Sequence, residues 1–279
     1  MKHLAYIFFC SCFLACSPLK KLADLPLAFK ENSGIIYTDG HIWLHNDSGD
    51  QPFLYKLNLE GELIRSLKIE NAKNIDWEDI AQDKAGNVYI GDFGNNYNAR
   101  KNLCIYKIPN PDTVVADVVS AEKILFSYPD QLAFPPAANH KHFDLEAMIA
   151  FKDSLYLFSK NRTQPNNGWT KCYRLPKDSG TYIATLVDSM EIKPHSFLQS
   201  ITGAAISPDG KKLALLSMTR LYILHHFKGT NFFQAKVKKV YKLPFTQKEA
   251  IDFIDNRSIL ISDEKSPFGK PHLYLLKLP

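Results

Sequence analysis

Five times along this chain of 279 residues a tyrosine sits in the same short apolar phrase. The copies are Leu54-Tyr55-Lys56-Leu57, Ile105-Tyr106-Lys107-Ile108, Cys172-Tyr173-Arg174-Leu175, Leu221-Tyr222-Ile223-Leu224 and Leu273-Tyr274-Leu275-Leu276. Successive tyrosines stand 51, 67, 49 and 52 residues apart. A period near fifty residues marks a repeat architecture, in which each unit completes its core only against its neighbours. A closed ring of such units would aim equivalent residues from every repeat at one central site.

Reading outward from each tyrosine, the same order of β-rich runs recurs. One run precedes it at residues 41–44, 87–90, 154–158, 212–216 and 258–261. An earlier run lies at 33–37, 78–81, 146–150, 202–207 and 249–253, and turn signals such as Asp39-Gly40 and Ser207-Pro208-Asp209-Gly210 separate the two. A fourth run follows the phrase at 63–69, 124–128, 182–192 and 235–243. No amphipathic helix emerges. Four short strands per unit predict an all-β chain folded as a β-propeller. The last unit stops after its third strand, and the apolar segment 22–30 is free to fill the vacant place. The expectation is therefore five four-stranded blades closed by an N-terminal strand, which leaves no exposed sheet edge at the closure. Six blades are the alternative if residues 110–142 hide another unit, but that stretch holds no tyrosine phrase.

A net charge of +5 with 23% charged residues, and no dense basic block beyond Lys236-Val237-Lys238-Lys239, disfavours nucleic acid as a partner. Residues 1–15 read as a signal segment: Lys2 and His3 precede an apolar run too short to span a bilayer. It ends in Phe13-Leu14-Ala15-Cys16, which resembles a bacterial lipobox with Cys16 as the lipidated first residue of a single domain, 16–279. This predicts a bacterial envelope protein, periplasmic or at the cell surface, held by its lipid alone and otherwise monomeric. Cys104 and Cys172 sit one position out of register on their strands, so their thiols point to opposite sheet faces and no disulfide is expected between them.

Aligned, the five innermost strands place Ser33, Glu78, Glu146, Thr202 and Glu249 at one position, with Glu31, Asp76, Asp144, Ser200 and Gln247 two residues earlier. The second strands end in Asn46, Asp92, Ser159, Ser217 and Asp263, with Asp47, Asn95, Lys160, Asn161 and Glu264 close behind. Carboxylates crowded towards one axis raise one another's pKa or need a cation between them, and hard oxygen donors suit Ca²⁺ or Mg²⁺. Glu78, Glu146, Glu249, Asp92 and Asp263 are the candidate metal ligands. The competing expectation is that these carboxylates accept N–H groups of the adjoining blade and staple the ring. Lys160, Asn161, Arg162, Asn95 and Arg100 are candidates for binding an anionic ligand. His140, His142, Asp144 and Glu146 alternate, so an extended strand would present them on one face; His142, Glu78 and Glu146 are candidate acid–base groups. Trp77 is expected to pack between blades, and Gly94 to allow a tight loop with positive φ.

The motifs Asn46-Asp47-Ser48-Gly49, Asp76-Trp77-Glu78-Asp79-Ile80-Ala81, Gly91-Asp92-Phe93-Gly94-Asn95-Asn96, Asp144-Leu145-Glu146-Ala147 and Lys248-Glu249-Ala250-Ile251 resemble the repeating signatures of phytase-like (esterase-like) β-propeller lipoproteins of the bacterial envelope. The resemblance covers residues 30–279 and implies acidic residues on one face of the disc and calcium among them. The dense aspartate and lysine pattern of calcium phytases has no counterpart here. Two functions follow as expectations. One is an envelope propeller whose acidic centre binds a cation and a small anionic ligand or protein partner. The other is a metal-dependent hydrolase of phosphoesters or related esters.

Overall fold

The computed structural model describes residues 19–265 and 269–279, so the expected signal segment and lipidation site, Cys16, lie outside the described residues. Nearly all regular structure is strand, arranged as five antiparallel blades around an axis. Blade 1 runs outward through Asn32–Thr38, His41–Asn46, Phe53–Asn58 and Leu63–Ile69; blade 2 through Trp77–Gln82, Val88–Asp92, Leu103–Ile108 and Glu122–Ser127. Blade 3 comprises Asp144–Phe151, Ser154–Lys160, Trp169–Pro176 and Thr185–Glu191, and blade 4 Gly203–Ile206, Lys212–Ser217, Arg220–His225 and Val237–Lys242. Blade 5 takes Lys248–Phe253, Ser258–Asp263 and His272–Lys277 from the end of the chain and Lys20–Asp24 from its beginning. The N-terminal strand lies antiparallel to His272–Lys277, with Lys20 opposite Leu275; it starts earlier than the expected segment 22–30, whose remainder leaves the sheet and turns through the 3₁₀ helix Leu27–Phe29. Five blades with a shared last blade are therefore observed.

The repeat tyrosines define the seams. Tyr106 joins the core between blades 1 and 2 with Trp43, Trp77 and Cys104, and Tyr173 joins that between blades 2 and 3. Tyr222, Tyr274 and Tyr55 take the same place in the next three seams, so each tyrosine faces the preceding blade. Each such ring removes large apolar area from water, worth several kcal/mol per fully buried aromatic as an order of magnitude (about 2–3). Cys104 and Cys172 are buried free thiols in different seams, as their register requires. Trp77 is fully buried against Tyr106 and edge-on to His45.

Residues 110–142 hold no further blade. Arg65 pins their first part by donating to the carbonyls of Pro111, Val114, Val115 and Ala116 and pairing with Asp117. Val118–Val119 then adds in parallel to the outer edge of blade 1, and Glu122–Ser127 is the fourth strand of blade 2. The run at 182–192 divides. Gly180–Ile183 pairs in parallel with Glu122–Ser127, covering the edge of blade 2, and Thr185–Glu191 completes blade 3. The buried Ala184 marks the crossing, its N–H bonded to the Ser127 carbonyl at 2.9 Å.

Candidate metal and ligand site

The inner strands begin at one face of the disc, and four of the five are irregular there. Pairing with the second strand slips at Asn32/Gly34, Trp77/Ile80, Leu145/Ala147 and Lys248/Ala250. The residues displaced are Ser33, Glu78 with Asp79, Glu146 and Glu249. A β-bulge leaves one residue outside the ladder and re-aims its side chain. The alignment of sequence positions thus corresponds to a repeated bulge, which turns these side chains out of the blade seams and towards the axis. Ser33 and Thr202 use their hydroxyls on the neighbouring inner strand, bonding the carbonyls of Glu78 at 2.5 Å and Lys248 at 2.7 Å. The glutamates do not staple in this way.

Stapling falls instead to Asp79 and Asp252. Asp79, fully buried, accepts N–H bonds from Met148 of blade 3 at 2.6 Å and from Ile80 at 2.8 Å. Asp252 accepts from Tyr37 of blade 1 at 2.7 Å and from Phe253 at 2.8 Å. Asp144 is shared between the two roles: it takes the Asn95 N–H from the blade 2 loop at 2.6 Å and the Arg162 guanidinium on its other oxygen.

The remaining carboxylates form two overlapping triads. Oxygens of Asp47, Asp76 and Glu78 lie within 4.8 Å of one another, and so do those of Glu78, Asp144 and Glu146. The second triad already contains its cations. Lys160 Nζ sits 2.9 Å from Glu146 Oε2, and Arg162 Nη2 lies 2.9 Å from Glu146 Oε1. Burial alone would raise the Glu146 pKa, but Lys160 and Arg162 outweigh it and hold the carboxylate low. Lys160 is desolvated too, yet Glu146 and Glu249 push its pKa up, so it remains charged.

The first triad has little of this compensation. Arg100, 4.0 Å from Asp76, is the one cation at ion-pair distance among the described residues, with Lys160 and Arg162 acting from further off, and Arg100 is also committed to Asp92 at 2.8 Å. Burial, reinforced by neighbouring acids, lifts Asp47 to about 7 and Asp76 to about 6. Glu78 is raised well above its ordinary value by burial and by Glu146 and Asp47. Gly94 closes the wall: a Cβ there would lie 2.2 Å from Glu78 Oε1 and 2.5 Å from Asp76 Oδ2. Its need is close approach to the carboxylates; it is not among the glycines with positive φ.

The other expected residues are distributed around this well. Glu249 is buried with Oε2 unpartnered, 4.0 Å from Lys160, and burial lifts it to about 8. Asp263 faces its own blade, accepting from the His272 N–H at 2.6 Å and the Tyr274 hydroxyl at 2.9 Å. Asp92 accepts from Arg100 and from the Asp76 N–H, with Oδ2 unpartnered. Asn95 and Asn161 are loop clasps: Asn95 Oδ1 accepts from the N–H groups of Ala99 and Arg100, and Asn161 bonds Asn167, Trp169 and Thr163. His142 meets the Asn167 side-chain amide through Nε2 at 3.4 Å, and burial lowers it to about 4. The stretch from His140 is not one extended face, because Ala138–His140 is a 3₁₀ turn and Glu146 a bulge.

Phe197 lies over both cations, 5.4 Å from the Arg162 guanidinium and 5.7 Å from Lys160 Nζ. The Arg162 side chain keeps 18% of its surface exposed against 5% for Lys160, so Arg162 is the cation a ligand can reach. A groove of about 470 Å³ leads from it, lined by Asn96, Tyr97, Lys141, Gln164 and Phe197. Asp47, Asp76 and Asp144 are the members of the well to which the aligned positions alone gave no ligand role.

No family model matches this chain, and no curated protein matches it. Solved structures similar to it are β-propellers at low identity. The PQQ-bound aldose sugar dehydrogenase of Streptomyces coelicolor aligns over 93% of this chain and 98% of its own, with 10% identity and a TM-score of 0.50. The Cps50 (Swd1) β-propeller domain of Myceliophteria thermophila aligns over 92% and 99%, with 10% identity and a TM-score of 0.46. At such identities the likeness concerns the fold alone: the chain is a five-bladed β-propeller with buried acidic groups able to hold a metal ion.

Proposed function

We propose that this is a ligand-binding propeller whose well takes a divalent cation, Ca²⁺ or Mg²⁺, on Asp47, Asp76 and Glu78. The observation that carries the reading is the asymmetry between the triads. In one, Lys160 and Arg162 bond Glu146 and Asp144 directly; the other brings three carboxylates within 4.8 Å with Arg100, at its edge, the one cation at ion-pair distance among the described residues. A cation there offsets the cost of ionising these groups, which comes first from burial and then from their like charges. Beside it, Arg162 and the groove lined by Asn96 and Gln164 form a seat for a small anion, which would meet the cation and the guanidinium together. In the same reading the protein is tethered to the envelope through a lipid on Cys16.

Calorimetric titration of the protein with CaCl₂ and MgCl₂ tests the site. Saturable binding that Asp47→Asn and Asp76→Asn each weaken at least tenfold is expected; heat no greater than the buffer blank at millimolar cation overturns it. A Cys16→Ala chain that stays fully membrane-bound overturns the tether.

One observation favours a second reading, hydrolysis of a phosphoester or related ester. Glu249 holds an oxygen with no hydrogen-bond partner near the well, 4.0 Å from Lys160, and titrates at about 8, so near neutral pH it can give or take a proton. Turnover of an ester panel, abolished by both EDTA and Glu249→Gln, would establish that reading; inactivity on the panel with cation and anion binding intact leaves the binding propeller.

A further inference from the structure

The axial channel has a second mouth, at the far ends of the inner strands, that opens into a cavity of about 590 Å³. Its floor takes one residue from each blade: Ile36, Ile80, Met148, Ala204 and Ile251, all buried. These lie two or three residues past the bulge positions, so the same strands that bring carboxylates to one mouth bring a continuous apolar ring to the other. The floor side chains offer no nitrogen or oxygen, and only the weakly accepting sulfur of Met148, which disfavours a sugar or a nucleotide base as occupant.

The rim differs from the floor. Lys84 and Lys152 stand on it without a carboxylate partner among the described residues, and Lys152 Nζ lies 5.5 Å from the Phe151 ring. Lys177 is committed to Asp83 at 3.4 Å. Of the rim acids, Asp153 is exposed, and the wall carboxylate Asp252 is held by two backbone N–H groups. A second opening of about 700 Å³ shares Lys84 and Lys152 and continues past Lys211 and Lys212. An apolar ring converging on the axis, with unpaired ammonium groups above it on one side, complements a molecule with a narrow hydrocarbon body and one anionic end.

We propose that this mouth binds an amphipathic monocarboxylate of medium chain length, its chain on the Ile36–Ile80–Met148–Ile251 ring and its head at Lys84 and Lys152. The site is separate from the carboxylate well and does not depend on the function proposed for it. Titration of the full chain with hexanoate, octanoate and decanoate, and with decanol as the neutral counterpart, tests it. Affinity should rise about fourfold per added methylene, and decanol should bind at least tenfold more weakly than decanoate. Lys84→Gln with Lys152→Gln, both at the surface, should weaken decanoate at least tenfold with the melting temperature unchanged, and Ala204→Phe should block the floor. Chain-length-independent affinity, equal binding of decanol and decanoate, or full affinity in the double lysine variant would each overturn the proposal.

Discussion

At one mouth of the channel the inner strands present Ser33, Glu78, Glu146, Thr202 and Glu249; at the other they present Ile36, Ile80, Met148, Ala204 and Ile251. The two sets are neighbours along the same five strands, yet one is a desolvated charge network and the other a hydrocarbon ring. The bulge makes the difference possible. It turns one side chain out of the ladder at the start of the strand and leaves the rest of the strand in regular alternation. A chain can thereby place costly carboxylates at one end without disturbing the apolar seams that carry its stability.

The largest expected effect tests whether the polar mouth is a buried network. Lys160→Met leaves Glu146 with Arg162 alone and Glu249 with no near ammonium, so unfolding free energy in urea should fall by about 3–5 kcal/mol. Adding Glu146→Gln should recover part of it. A loss under about 1 kcal/mol would mean that the network behaves as a solvated surface. Next comes the division between stapling and binding acids. Asp79→Ala should cost about 2 kcal/mol, having removed the acceptor for Met148 and Ile80. Glu78→Gln should leave cation-free stability equal or higher while removing stabilisation by Ca²⁺. Reversal of that pattern would exchange the roles assigned to the two neighbours.

The pH dependence follows from the raised carboxyls. Asp47, Asp144 and Asp252 stand at about 7 and Glu249 at about 8, all above their unfolded values, so the native state holds more protons than the unfolded one. Their contribution is full below the unfolded carboxylate range and is lost as pH rises through 7 and 8. His45 and His142, lowered to about 4, act in the opposite sense between 4 and 6.5, and Lys248, lowered to about 8 by burial, does so from near 8 upward, leaving about 6.5 to 7.5 as the clean window. Melting temperature without divalent cation should fall across that window, and the increment given by Ca²⁺ should grow. A flat profile would place these carboxyls in water. The smallest effect is a double dissociation: Asp47→Asn should change decanoate affinity less than twofold, and the Lys84/Lys152 pair should change Ca²⁺ affinity as little.

Much of the fold was legible because apolar phrases at a fixed period have one economical solution, and the tyrosines landed at equivalent places in all five seams. Closure by the N-terminal segment was legible for the same reason, since a three-stranded last unit leaves one edge to fill. The site was legible as a set of positions but not as a set of partners. Alignment brings Glu78, Glu146 and Glu249 together, yet it cannot show that Lys160 and Arg162 bond Glu146 and Asp144 while Arg162 keeps part of its surface open. Nor can it show that Asp263 is taken up by Tyr274 of its own blade. Which acid staples and which faces the axis turns on the slip at the bulge, where Glu78 and Asp79 are adjacent in the chain but point different ways. The lower cavity left no motif at all, because small and branched apolar residues at strand spacing read simply as core.

Blade 5 joins residues more than two hundred positions apart, Lys20 to Leu275, and so orders events during synthesis. At about 5–20 residues per second, the strand Lys20–Asp24 waits of the order of tens of seconds for its partner. Over that interval Leu25, Phe29, Ile35 and Leu57, which later fill the last seam, have no blade to cover them. The disc therefore assembles as an open arc that snaps shut last. Until it does, the chain carries an adhesive edge and an apolar flank, the state in which a holding chaperone would find most to bind.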